Sequence, residues 1–203
     1  MQSLKNKKMG ERQEKILYAL SELGALSRSQ LQHMFDLGSK RNANRILQQM
    51  SEYLHHVRLN ENVYYLNKQG RELVGTTKEF RKNGQIEHAL MRNDIYIFYH
   101  YPKTWKSECK TEWKENGKEY RIISDARFTY HDQLYFLEVD LQQQMAKNKQ
   151  KIELYASLFR VIQRQQIGEP ILLWYTVSQT RKEKLGKWCK EYEISYEVLC
   201  KDF

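Results

Sequence analysis

Apolar residues recur along this chain with two different periods, and the change between them divides it. From residue 11 to 23, Ile16, Leu17, Leu20 and Leu23 fall at helical spacing, and Gly24 stops the segment. Ser27 or Ser29 can cap a second helix carrying Leu31, Met34 and Phe35. Gly38-Ser39 breaks that helix and starts a third, from 40 to about 53, with Ala43, Ile46, Leu47 and Met50 as its apolar stripe. Its opposite face carries Lys40, Arg41, Asn42, Asn44, Arg45, Gln48 and Gln49. Two short strands follow, 57–59 and 63–66, around the turn Asn60-Glu61-Asn62, and then a short helix over 71–74.

After a polar stretch with two glycines, 75–86, the pattern changes. A helix is expected over 87–99, with Leu90, Met91, Ile95 and Phe98 on its stripe, ended by Pro102. Strands are expected at 105–113, 119–130 and 134–140. A long helix over 144–163 offers Ile152, Tyr155, Ala156, Leu158, Phe159 and Ile162 to a core. The unbroken apolar run 171–177 predicts a strand buried on both faces. An amphipathic helix over 181–192 and a last strand over 195–200 complete an α-β-β-β-α-β-α-β order. The class is α+β / α/β, with one domain over 1–78, a linker over 79–86 and a second domain over 87–203.

Charge adds a functional direction. The net charge of +9 is uneven: residues 1–84 carry 15 Lys and Arg against 8 Asp and Glu, residues 85–203 carry 19 against 17. A basic first module beside a nearly neutral second one points to a polyanion as partner of the first. A hydrophobic content of 40% is enough for a core, while runs such as Ile171-Leu172-Leu173-Trp174-Tyr175 are far too short to span a bilayer. Residues 1–8 lack the apolar stretch of a signal peptide, so a cytoplasmic protein with no membrane partner is expected. Cys109, Cys189 and Cys200 are odd in number and lack zinc spacing, which predicts free thiols, and the six histidines form no ligand pair.

The candidate chemistry lies in the second module. Asp125 sits inside one apolar strand, and Glu138 and Asp140 inside the next. Burying a carboxylate is costly unless it is paired or binds a cation. Period two puts Glu138 and Asp140 on one face. Asp125 joins them if the connection is a two-residue loop at His131-Asp132 or a four-residue loop over 130–133. A three-residue loop would oppose it to Val139 and send the two acids to opposite faces. The acids are then a metal cradle, the remains of one, or ion pairs with Arg121, Arg127 or Lys151.

Three resemblances sharpen this. The order helix–helix–helix–hairpin resembles a winged helix-turn-helix, and Tyr64-Tyr65-Leu66-Asn67-Lys68-Gln69-Gly70 resembles the wing-to-final-helix junction of bacterial winged-helix proteins. That implies a recognition helix reading the major groove of double-stranded DNA with Arg41, Asn42, Asn44, Arg45 and Gln48, and phosphate contacts from Lys40 and Arg58. The second module, over most of 87–177, resembles the mixed-sheet PD-(D/E)XK nuclease fold. This implies Asp125 and Glu138 as ligands of Mg or Mn, with Glu87 as an optional third acid. It also implies Asp125, Glu138, Asp140 and Lys151 as the catalytic set. The fold's pattern wants Lys at position 140, where this chain has Asp; Lys147, Lys149 and Lys151 are the nearby replacements, and Lys151 shares a helix face with Tyr155.

Glu87-His88, Asn93-Asp94, Ser124-Asp125-Ala126, Phe136-Leu137-Glu138-Val139-Asp140 and Lys151 with Tyr155 are together similar to the replication-relaxation family of plasmids and mobile elements. Here Ser124 replaces a usual Pro, and Leu141-Gln142-Gln143 a usual Arg-Gly-Thr. The resemblance implies a sequence-specific DNA-binding protein acting in replication, DNA relaxation or transcriptional control. Asp at position 140 is then normal for the family. The alternatives are a divalent-metal nuclease or nickase and a protein-interaction module. The expected partners are double-stranded DNA, a second copy in a homodimer, and replication or relaxation proteins. No cofactor is expected, or Mg or Mn if the acidic site is active.

Overall fold

The structure, a computed structural model, describes residues 10–80 and 85–201. The expected absence of a signal stretch at 1–8, and residues 81–84 of the expected linker, lie outside the described residues. The chain forms two compact units, residues 1–90 and 91–203.

The first unit runs α1 (Glu11–Leu23), β1 (Ala25–Ser27), α2 (Arg28–Met34), α3 (Lys40–Gln49), β2 (Leu54–Arg58), β3 (Asn62–Leu66) and α4 (Lys68–Val74). Its strands form an antiparallel sheet in the order β1-β3-β2. Most of the helical stripes read from the sequence is core: Ile16, Leu17, Leu20 and Leu23 of α1, Leu31 of α2, and Ala43, Leu47 and Met50 in and after α3 are buried, whereas Met34, Phe35 and Ile46 are half-buried. The helix starts follow the caps. The Ser27 hydroxyl accepts the Gln30 N–H while the Gln30 side chain accepts the Ser27 N–H, and Ser39 caps α3 through the Asn42 N–H.

Four local differences from the expected elements appear in this unit. Strand β1 is three residues long, too short to leave a period in the sequence. The third helix stops at Gln49 rather than near 53, where the Met50 and Ser51 N–H groups turn to the Leu47 and Gln48 carbonyls, and Asn67 meets the carbonyls beyond: its side chain donates to the Glu52 carbonyl at 2.8 Å and its N–H to the Tyr53 carbonyl at 3.0 Å. Asn67 also caps α4, accepting the Gly70 N–H at 2.9 Å, so that helix begins at Lys68 rather than at 71. The hairpin loop keeps its three-residue length but sits one residue earlier, at 59–61.

The second helix-and-sheet unit follows α5 (Ile86–Phe98), within which the division into units falls. It contains β4 (Lys106–Glu115), β5 (Lys118–Tyr130), β6 (Gln133–Asp140), α6 (Met145–Arg164), β7 (Ile171–Thr176), α7 (Gln179–Glu191) and β8 (Tyr196–Cys200). The five strands make a mixed sheet in the order β4-β5-β6-β7-β8, antiparallel from β4 to β6 and parallel from β6 to β8. Helices α6 and α7 supply the two crossovers that parallel pairing requires. Both hairpins use two-residue loops with positive φ at both residues, Asn116-Gly117 and His131-Asp132. Strand β6 is buried on both faces. Phe136 packs with Ile152, Tyr155 and Phe159 of α6 on one side, and Leu137 and Val139 pack with Met91 and Ile95 of α5 on the other. The cysteines are free, with Cys189 buried. Among the described residues no helix is long and apolar enough to cross a membrane.

Among the described glycines of the first unit, Gly70 has the closest neighbour. A Cβ there would lie 2.3 Å from the Tyr53 carbonyl oxygen, which backbone cannot yield cheaply. Gly75 ends α4 with φ +70° in open space. Gly70→Ala is therefore expected to cost about 2–4 kcal/mol, and Gly75→Ala about 1 kcal/mol from left-handed strain alone. Urea unfolding of both variants checks the order; equal losses would contradict it.

Candidate functional site

Two groups of side chains stand out, one in each unit. In the first, α3 carries no acidic residue. Lys40, Arg41, Asn44, Arg45, Gln48 and Gln49 are exposed on it, opposite the buried Ala43 and Leu47. Asn42 is half-buried, because its side chain donates to the Leu37 carbonyl at 2.9 Å. Its side-chain oxygen accepts from the Arg45 guanidinium at 2.8 Å, which steers Arg45 across the helix surface. Arg58 is exposed at the end of β2 and donates to the Asn62 side chain at 3.3 Å. The residues read from the sequence as DNA contacts thus share an exposed α3 face, except that Asn42 is partly spent on the fold and Arg58 stands on the hairpin.

The second group forms around β6. The pairing of Tyr130 with Gln133 and of Ala126 with Leu137, continued one step, sets Asp125 opposite Glu138. This is the register that a two-residue loop at His131-Asp132 requires. Asp125 ends the ladder there, because its carboxylate accepts the Val139 N–H at 2.6 Å. Strand β5 also changes phase at this point. Ile122 packs into the α6 side of the sheet, whereas Ala126 and Phe128, of the same parity, pack into the other side. The partner strand changes phase opposite, at Glu108, whose φ is +51°. The distortion brings the Asp125 charge to bear on Glu138, Lys151 and Tyr155.

Glu138 and Asp140 are both 0% exposed. One Glu138 oxygen accepts from the Tyr155 hydroxyl at 2.6 Å, and the other is paired with the Lys151 ammonium. Asp140 is held by Asn148 at 2.8 Å, by the Thr176 hydroxyl at 3.1 Å, and by Arg181 through a two-pronged contact at 2.5 and 2.6 Å. The Arg181 guanidinium also donates to the Gln143 carbonyl at 2.5 Å. Burial pushes the Glu138 carboxyl up to about 7, the Asp125 charge adds to this, and Lys151 and Tyr155 hold it back. Burial works against the Lys151 ammonium, yet Glu138 and Asp125 outweigh it and raise its hold on the proton. The Tyr155 phenol is pushed well above its ordinary value, first by burial and then by Glu138.

Of the three lysines at the start of α6, Lys151 reaches an acid; Lys147 is exposed, and Lys149 lies over the Trp188 ring at 5.8 Å. Glu87 is exposed in the first turn of α5. Arg92 and Arg181 were not legible as site residues. Arg92 is 5% exposed, lies 3.9 Å from Glu108 and feels the Asp125 charge. Asn148 did leave a signal, a polar residue in line with Ile152 and Tyr155 on the buried stripe of α6.

A hard divalent cation needs several converging oxygens with lone pairs to spare. Among the described residues no group of three or more His, Cys, Asp and Glu converges in that way. Both oxygens of Glu138 and both of Asp140 already accept from other groups. The donor set as arranged does not fit such an ion.

The match that decides the family lies over residues 17–169, where the chain fits the replication-relaxation family. The chain belongs to the replication-relaxation family. That stretch takes in the exposed face of α3, the whole of β6 and the Lys151 and Tyr155 positions of α6, while Arg181 lies beyond it. The family takes its description from replication and relaxation. No curated protein matches the chain. Among solved structures it is similar to protein VC1899 from Vibrio cholerae, at 12% identity and a TM-score of 0.41, over 94% of this chain and 53% of that one. The chain spans about half the length of that protein, and a likeness this weak carries no argument.

Removing the Lys151 charge tests the buried pair. Lys151→Met is expected to destabilise the second unit by about 3 kcal/mol near neutral pH, the low end for breaking a buried pair. Without the ammonium, the folded-state affinity of Glu138 for its proton rises further above the unfolded value. The deficit is therefore fully present above that raised value and shrinks as the pH falls toward the unfolded one. Urea unfolding at pH of about 8 and about 5 should show the larger loss at the higher pH; equal losses would contradict the assignment.

Proposed function

We propose that this member of the replication-relaxation family is a sequence-specific double-stranded DNA-binding protein. Residues 1–78 work as a winged helix-turn-helix, and residues 87–203 as a nuclease-like α/β domain that does not cleave. The observation that carries this reading is the exposed face of α3, where Lys40, Arg41, Asn44, Arg45 and Gln48 stand together with no acid among them. Arginine, asparagine and glutamine are the side chains that read base edges in the major groove. A basic, acid-free helix face also lowers the cost of approaching a polyanion. The three-residue loop at 59–61 makes a short wing, with Arg58 placed for a phosphate. A homodimer on a two-fold site, assisted by replication or relaxation proteins, is the assembly this reading favours.

A selection from random duplexes should return an enriched motif, and affinity for it should fall steeply with salt. Arg45→Ala is expected to cost about 1–3 kcal/mol, on the order of a tenfold to hundredfold loss, and to relax one base position. Lys40→Ala should weaken all sequences alike and reduce the salt slope by about one. No motif, or no binding even at low salt, would turn the balance toward a protein-interaction module.

The placement of Asp125 across from Glu138, with Lys151 beside them, is the observation that favours a nuclease or nickase instead. Supercoiled plasmid incubated with Mg or Mn distinguishes the two readings. We expect it to stay supercoiled; nicking that is lost in Glu138→Ala would establish the enzyme.

A further inference from the structure

We propose that the Lys151 ammonium is the resident cation of the acidic cluster on β6, filling the role that a divalent metal has in nuclease-like folds and closing the site to one. The proposal deepens the non-cleaving reading of the second domain and rests on it. It stands on where the donors are spent. Lys151 reaches Glu138 from α6, with 29% of its side chain exposed, while the Glu138 side chain is 0% exposed. The second Glu138 oxygen is engaged by Tyr155 from the same helix, one turn on. Asp125 turns an oxygen to the Val139 N–H, and its charge acts on the same lysine. Two residues further along β6, Arg181 of α7 grips both oxygens of Asp140. A metal ion entering here would have to displace an ammonium that is itself part of the packing of α6, and would add charge to a cluster already supplied with cations.

Shortening Lys151 removes the charge and releases the Glu138 oxygen that it holds, leaving a buried carboxylate that favours a cation. Lys151→Ser and Lys151→Ala should therefore bind Mn where the wild type does not. The probe is Mn alone, followed by its electron paramagnetic resonance signal in solution and by thermal unfolding. In either variant, millimolar Mn is expected to raise Tm by about 3 °C or more and to bind with a stoichiometry of about one. The wild type should show neither effect. Adding Glu138→Gln to Lys151→Ser should abolish both.

Saturable Mn binding by the wild-type protein, lost in Glu138→Gln, would overturn the proposal, and this measurement needs no variant at position 151 to fold. Variants that fold but gain no Mn binding would also overturn it. None of these measurements involves DNA. A protein that fails to bind DNA would sink the functional reading and leave the cation result standing, and the reverse holds as well.

Discussion

The architecture of the second unit depends on one electrostatic constraint: a strand buried on both faces carries two carboxylates. Strand β6 lies in the middle of the five-stranded sheet, and Glu138 and Asp140 are sealed from solvent at its C-terminal end. Each charge must be met where it sits, because the interior offers no water to do so. The groups that meet them come from elements that the sheet must hold anyway. Lys151 and Tyr155 bind α6 to Glu138, Asn148 binds the start of the same helix to Asp140, and Arg181 binds α7 to Asp140. Both crossover helices are thereby pinned to one strand at positions two residues apart. Packing of Phe136, Ile152, Tyr155 and Phe159 supplies the apolar area, but apolar contacts tolerate sliding. Directional contacts to two fixed carboxylates set the register of α6 and α7 on the sheet.

How much of this could be read from the sequence follows from how local each signal is. Helix α1 and the strands β5 and β6 were legible within a residue or so, since their periods and their ends lie within the segment itself. The side on which Asp125 falls was legible only as a condition on loop length. The structure meets that condition through His131-Asp132, although neither residue is the glycine that usually announces such a turn. The end of α3 was not legible, because the segment after it is held by Asn67, between β3 and α4. Arg181 was hidden for the same reason on a longer scale. It meets Asp140 across 41 residues, and on its own segment it reads as one more basic residue of an amphipathic helix. Polar partners of buried charges leave no period behind them, whereas the apolar residues around them do.

The two units then divide their cations differently. On α3 the basic side chains stand exposed, with Arg45 held by Asn42 and the others directed to solvent. Such charges cost the fold little, because water solvates them, and they remain available to a polyanion. Around β6 the basic side chains are consumed by the fold. The same residue types stand exposed to solvent in one unit and neutralise buried acids in the other, and burial decides which. The near-balance of charge in the second half of the sequence has this internal pairing as one of its physical sources.

The aspartate at position 140 fits this pairing of buried charges. A lysine there would place an ammonium on the same sheet face as Lys151, with Glu138 to share between them. Aspartate instead adds a third acid to Asp125 and Glu138, and the chain supplies three cations within reach. Lys151 lies at Glu138, Arg181 at Asp140, and Arg92 within the field of Asp125. Each contact is made by a side chain anchored in a different helix. Arginine at Asp140 is the apt choice, because its planar fork engages both carboxylate oxygens at once and keeps its charge at any accessible pH. Asp140 and Arg181 are thus a matched pair, and reverting either alone would leave a buried charge with no equal opposite. A lysine at position 140 would meet Arg181 as a like charge, so the two positions are coupled and would have to change together.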